Sequence, residues 1–168
     1  MTPEERRKRP EHHVVHDYAN LVSSGRMVLS GAHLGVPLVP PVNSHVGHAF
    51  YTYGREMYEF FHDSPTKPYR RAQEFLAISV TFTFKYWTNT IRSHMEGHLM
   101  HSGKGRTEGL VSWTGEDNAH YLADFENAWA LFLGNLKDEH KETFRDEIHH
   151  RLDSEFRHCG TLGKEFIL

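Results

Sequence analysis

The chain has a single cysteine, Cys159, in 168 residues. That excludes an internal disulfide and any zinc site built from several cysteines of one chain, and it fits a reducing compartment, so a cytoplasmic protein is expected. Long apolar runs are also missing. The longest uncharged apolar-leaning stretch, Phe75 to Phe84, is about half of the ~20 residues that a bilayer-spanning helix needs. The charged N-terminus leads into no apolar signal core. Neither a membrane segment nor a secretion signal is therefore expected. Net positive charge is absent too: the formal value is -3 with histidines neutral, so there is no whole-protein basic field of the kind that marks many nucleic-acid binders. Any basic surface has to be local. No internal repeat or low-complexity tract is visible.

What the chain does have is bulk. Hydrophobic residues make up 38%, with 11 Phe, 7 Tyr and 3 Trp, enough for the packed interior of one domain. Residues 1–11, with Arg6, Arg7, Lys8 and Arg9 ahead of Pro10, have no apolar period to dock and are expected to form a mobile basic arm. A single helical domain is expected over 12–168. Val14, Tyr18, Leu21, Val22, Val28 and Leu29 recur near a 3.6 period and predict a first helix from His12 to about Ser30. After Asn43 as N-cap, Val46, Phe50, Tyr53, Met57 and Phe60 form the apolar stripe of a second helix that Asp63, Ser64 and Pro65 stop.

A long third helix is predicted from about Lys67 to Met100, although Val80, Phe82, Phe84 and Tyr86 also alternate as a strand would. The glycines between Ser102 and Gly115 indicate a loop. A fourth helix is predicted from about Asp117 to Leu133, with Leu122, Phe125, Trp129 and Phe132 on one face and Gly134 as its C-cap. A fifth is predicted from about Asp138 to His158, with Phe144, Ile148, Leu152 and Phe156 at every fourth position. The fold class expected is all-α, about five helices in a single bundle.

Histidine is the unusual component. With 15 His, full protonation would move the formal charge from -3 to -3 + 15 = +12, most of it near an ordinary imidazole pKa of about 6.5. They gather at His12, His13 and His16; at His45 and His48; at His94, His98 and His101; at His140; and at His149 and His150. His94, His98 and His101 share one face of a helix, the geometry for ligating one metal. His12 and His16 are also one turn apart. Glu147 and His150 have the Glu-x-x-His spacing of di-iron carboxylate bundles, and Asp117 and His120 its Asp analogue. One reading is therefore a metal-binding helical bundle, DinB-like or hemerythrin-like, that holds zinc, iron or manganese on His94, His98 and His101 with His45 or His48.

The other constellation is arginine with histidine a turn or two later: Arg26 with His33, Arg92 with His98, Arg145 with His150, and Arg151 with His158. A guanidinium can hold a phosphate at two points while an imidazole moves the proton of a ribose 2′-hydroxyl, so such a pair can cleave RNA with no cofactor. The segment Arg145-Asp-Glu-Ile-His-His150 resembles the Arg-to-His motif of the HEPN superfamily, helical domains found in RNA-cutting toxins and antiphage proteins. Tyr86-Trp87 leading to Arg92, and Arg55 ahead of Tyr58, Glu59, Phe60 and Phe61, are similar to further motifs of HEPN-like proteins.

The resemblance covers three helices, from about Asn43 to His150. It implies a homodimer whose paired Arg and His residues meet at the interface and cut RNA to a cyclic phosphate. On that reading Arg145 and Arg92 bind phosphate, and His150, with His149 or His98 as substitutes, is the acid–base group. A non-catalytic scaffold or pH-responsive interaction protein is the third reading.

Overall fold

Pro10 opens the first helix, α1 (Pro10–His33), at the one helical position where a missing N–H costs nothing. The computed structural model describes residues 2, 4–5, 8–33, 42–62, 71–92 and 115–159, with side chains in 30–33, 42–45, 115 and 152–159 left aside. Four further helices follow: α2 (Val42–Phe61), α3 (Ala72–Phe75), α4 (Gly115–Gly134) and α5 (Asp138–Cys159). Residues 89–92 are also helical. The protein is all-α, and among the described residues there is no strand, only an isolated bridge between Leu76 and Leu136. No described helix is long and apolar enough to cross a membrane.

α1 packs against α2, α4 and α5, and close approach is possible where side chains are absent. A Cβ on Gly25 would lie 2.7 Å from the Phe50 ring, and one on Gly54 would lie 2.5 Å from the Trp87 indole. The core between the helices is aromatic. Phe132 meets Phe60, Phe75 and Phe144 edge-to-face with ring centroids 5.3, 6.2 and 5.3 Å apart, and Tyr18 stacks on Trp129 at 4.1 Å. Edge-to-face and offset arrangements suit the ring quadrupole and add to the burial of apolar area. Asn135 to Lys137 form a short turn from α4 into α5, which the Lys137 N–H fixes to α3 by donating to the Phe75 carbonyl at 2.9 Å.

Four of the five expected helices are present with shifts at their ends. α1 starts at Pro10, so Glu11, expected in the arm, is a buried helical residue. α4 includes Gly134 as its last residue. The long helix expected from about Lys67 to Met100 is not formed: within its described part, α3 is a single turn and residues 76–88 are not helical.

The alternation decides that segment. From Val80 to Tyr86, Phe82 is buried and Val80, Phe84 and Tyr86 pack on the core, while Thr81, Thr83 and Lys85 are exposed. An extended chain puts every second residue on one face, whereas a helix would scatter them around its axis.

Side chains and loops then supply the hydrogen bonds that a helix or ladder would have made. The Gln73 side-chain amide bonds both the N–H and the C=O of Val80. The Ala77 N–H donates to the Asn135 carbonyl at 2.9 Å. Asp124, buried on α4, accepts from the N–H groups of Tyr86 and Trp87 at 2.6 and 2.8 Å.

Candidate functional site

One face of α1 and one face of α5 are lined with polar groups that meet rung by rung. Near the start of both helices, Nδ1 of His140 is 3.0 Å from the buried Glu11 carboxylate. Further along, Nδ1 of His12 is 3.0 Å from Oε2 of Glu147, whose side chain is only 2% exposed. Beyond that, Arg151 donates to Oδ1 of Asn20 at 3.1 Å, and the Asn20 amide nitrogen lies 2.9 Å from Nε2 of His16. The rungs advance in the same direction along both chains, so α1 and α5 run parallel. His12, His16 and Asn20 recur at intervals of four on α1. Glu147 and Arg151 do so on α5, which keeps each set on one face.

His16 is the centre of this cluster. Its ring stacks in parallel near His12, centroids 6.3 Å apart, and the Tyr53 ring of α2 meets it edge-on at 6.3 Å. Burial holds its pKa below the ordinary imidazole value, and the charges of Arg151, His12 and His13 push the same way. Asp17, the next residue, is perturbed in the opposite sense: burial, reinforced by the Glu56 carboxylate of α2 and opposed by His13, raises its carboxyl from 3.8 to about 6.

At neutral pH the helix therefore presents a neutral imidazole, able to take a proton. Beside it, about 100° round the helix, is a carboxyl that is protonated to a useful extent near pH 6. Arg151 and the neutral His16 face the same cluster through Asn20, whereas Asp17 is turned toward Glu56 of α2 and His13; perturbed groups of this kind are the ones that acid–base chemistry uses.

The residues assigned to the catalytic and metal sites from the sequence are not those of this cluster. Arg145 is 63% exposed on the outer face of α5 and makes a 3.8 Å ion pair with Glu142, itself 80% exposed. His149 and His150 are exposed on the same helix. Arg92 sits against α2, 3.5 Å from the buried Glu59 carboxylate, on a different element from Arg145, His149 and His150. His48 is exposed on α2, and His45 is in the first turn of that helix, with its side chain outside the description. His94, His98 and His101 lie outside the described residues. Among the described residues no group of three or more His, Cys, Asp or Glu is placed to hold a metal ion.

Sequence reasoning noted the turn spacing of His12 and His16 but not their partners Glu147 and Arg151. The usable signal was a second pair with the same spacing and complementary chemistry. No protein-family model, curated protein or solved structure matches the chain.

Proposed function

We propose that this protein is a helical RNA-cleaving module that acts by acid–base chemistry at the α1–α5 cluster, with His16, Asp17 and Arg151 as the working groups. The observation that carries the reading is the Arg151–Asn20–His16 chain of contacts, which brings a guanidinium of α5 to an imidazole that its surroundings keep neutral. His16 takes the proton of a ribose 2′-hydroxyl on Nε2, the substrate hydroxyl displacing the Asn20 amide N–H that this nitrogen accepts from in the free protein, and the 2′-oxygen bonds to phosphorus. The bond to the 5′-oxygen breaks, and protonated Asp17 gives that oxygen its proton. Arg151 balances charge on the non-bridging oxygens as it builds up. The products are a 2′,3′-cyclic phosphate and a free 5′-hydroxyl. His12, held by Glu147, and Asn20 orient His16. The resemblance to HEPN domains points to the same products, to a homodimer and to a toxin or antiphage setting, with the outer face of α5 as the place where two copies would meet.

Incubation of bulk RNA in EDTA tests this. Cyclic-phosphate ends are expected from the wild-type protein, with loss on His16→Ala or Arg151→Gln in variants that melt normally. Loss on Arg145→Ala and His150→Ala with His16→Ala still active would move the site to the outer face of α5. No cleavage by the wild-type protein anywhere between pH 5 and 8 would sink the reading.

A non-catalytic, pH-responsive interaction protein is the second reading. It is favoured by the Glu11–His140 and His12–Glu147 pairs, which tie two helices through titratable rings. It predicts intact RNA together with a change in oligomeric state between pH 5 and 8, read by analytical ultracentrifugation.

A further inference from the structure

The segment from Ser79 to Phe84 runs without a bend and turns alternate side chains inward, as an extended chain does. In such a chain the N–H and C=O of one residue point to one edge, and those of its neighbours to the other. On one edge both groups of Val80 are taken by the Gln73 side-chain amide. Its nitrogen donates to the Val80 carbonyl at 2.5 Å, and its oxygen accepts from the Val80 N–H at 3.4 Å. That amide fills the place of a peptide group in a neighbouring strand. The other edge carries Ser79, Thr81 and Thr83. These residues are exposed, and their N–H and C=O groups make no hydrogen bond among the described residues.

We infer that this second edge is a docking site for an extended acidic peptide of a partner protein, which adds to it as an antiparallel strand. Unpaired main-chain groups at regular spacing are a template for another strand. The Gln73 contact shows the same segment taking an amide as its partner on the opposite edge. The edge is also rigid before any partner arrives, because its inward side chains are anchored. The Phe82 ring is 4.7 Å from that of Phe61, and the Phe84 ring is 5.1 Å from that of Phe125. Little ordering is left for binding to impose.

Charge sets the sign of the partner. Lys85 is the one charged residue between Ala77 and Thr88. It is exposed, with its ammonium 4.7 Å from the centre of the Tyr86 ring. An acidic side chain on the added strand would face it across the pair, while Thr81 and Thr83 offer β-branched, uncharged neighbours of the kind that strands favour. No residue of the α1–α5 cluster takes part, so the site stands or falls apart from the RNA chemistry.

Amide NMR of the whole protein with a synthetic peptide tests the site. The probe is acetyl-Glu-Val-Thr-Val-Thr-amide, which in antiparallel register sets its Glu opposite Lys85 and its two Thr opposite Thr83 and Thr81. In the free protein the Thr81 and Thr83 amides should exchange rapidly, and those of Tyr86 and Trp87, held by Asp124, slowly. Saturating peptide should move the Thr81 and Thr83 N–H signals downfield and slow their exchange about tenfold or more. N-methylation of the first Thr of the peptide, whose N–H faces the edge, should abolish both effects. N-methylation of its first Val, whose N–H faces away, should leave them. Lys85→Glu should weaken the peptide about fivefold and favour the same sequence headed by Lys. No shift at Thr81 and Thr83, or equal binding of the two N-methylated peptides, would overturn the inference. So would slow exchange of both amides in the free protein; if it speeds up on dilution, the occupant is a second copy of this chain.

Discussion

Replacing Asp17 with Asn should stabilise the protein at pH 8 and, on the proposed mechanism, abolish RNA cleavage. The Asp17 carboxyl is raised from 3.8 to about 6 by burial first and by Glu56 second. A shift of about two units corresponds to a ceiling of roughly 3 kcal/mol at ~1.4 kcal/mol per unit. Asp17 is only partly buried, and solvent screening brings the expected cost of the ionised form to about 1–2 kcal/mol.

The sign follows from linkage. Between pH 3.8 and about 6 the folded state holds a proton that the unfolded state has lost. The contribution to stability is thus fully present below the unfolded value and is lost as pH rises through about 6. Asn carries no charge to penalise. The gain from Asp17→Asn should be about 1–2 kcal/mol at pH 8, shrink through pH 6 and be absent at pH 3.5.

His16 works in the other direction. Its lowered pKa means that stability falls as pH drops through the unfolded value of 6.5 toward the folded one. Without Asp17 to compensate, the variant should lose stability on acidification more steeply than the wild-type protein. Urea unfolding at pH 8, 6 and 3.5 measures both contributions. Destabilisation at pH 8, or a gain of the same size at pH 3.5, would refute the reasoning. Loss of RNA cleavage in a protein made more stable would separate a working carboxyl from a structural one, the trade-off expected of an active site.

Gly54→Ala should lower stability by about 1–3 kcal/mol, because its Cβ would sit 2.5 Å from the fully buried Trp87 ring; an unchanged urea midpoint would contradict this. Asp124→Ala should cost at least about 2 kcal/mol, since it removes the acceptor of the Tyr86 and Trp87 N–H groups, and hydrogen exchange at both amides should accelerate. Arg145→Ala should change stability by no more than about 0.5 kcal/mol, because both members of the Arg145–Glu142 pair are exposed. A larger loss by urea unfolding would show that the pair does more than its geometry implies.

The helices were legible where an apolar stripe runs at helical spacing on a chain that packs through one face. α2 and α5 are examples: Phe50, Met57 and Phe60, and Phe144, are buried where the spacing puts them. The segment after Phe75 was misread because apolar residues at every second position stay close in sequence whether the chain is helical or extended. What distinguishes the two is the fate of the backbone N–H groups, and those of Tyr86 and Trp87 are taken by Asp124, 38 and 37 residues on. No local window contains that partner.

The same limit hid the α1–α5 cluster: His12 and Glu147 are 135 residues apart, and only the bundle makes them neighbours. The abundance of histidine worsened it by offering local Arg-to-His spacings, such as Arg145 with His150, whose members are exposed on the outside of α5.

The rungs between α1 and α5 constrain where the proposed acid–base groups can be. Glu11 meets His140, His12 meets Glu147, and Asn20 meets Arg151. Sliding α5 by one turn would bring Thr143 or Arg151 to His12 and leave the Glu147 carboxylate without its imidazole in a site that is nearly dry. Leaving a buried charge unpaired costs several kcal/mol, so the pairs select one register between two parallel helices that apolar contacts alone would fix less sharply. That register also sets the separation of Arg151 and His16, which sit on rigid helices rather than loops, as a preorganised site requires. Substitutions at Glu147 or His140 would therefore change register and chemistry together. Those at His16 and Asp17 leave all three rungs in place, whereas one at Arg151 also removes its rung to Asn20.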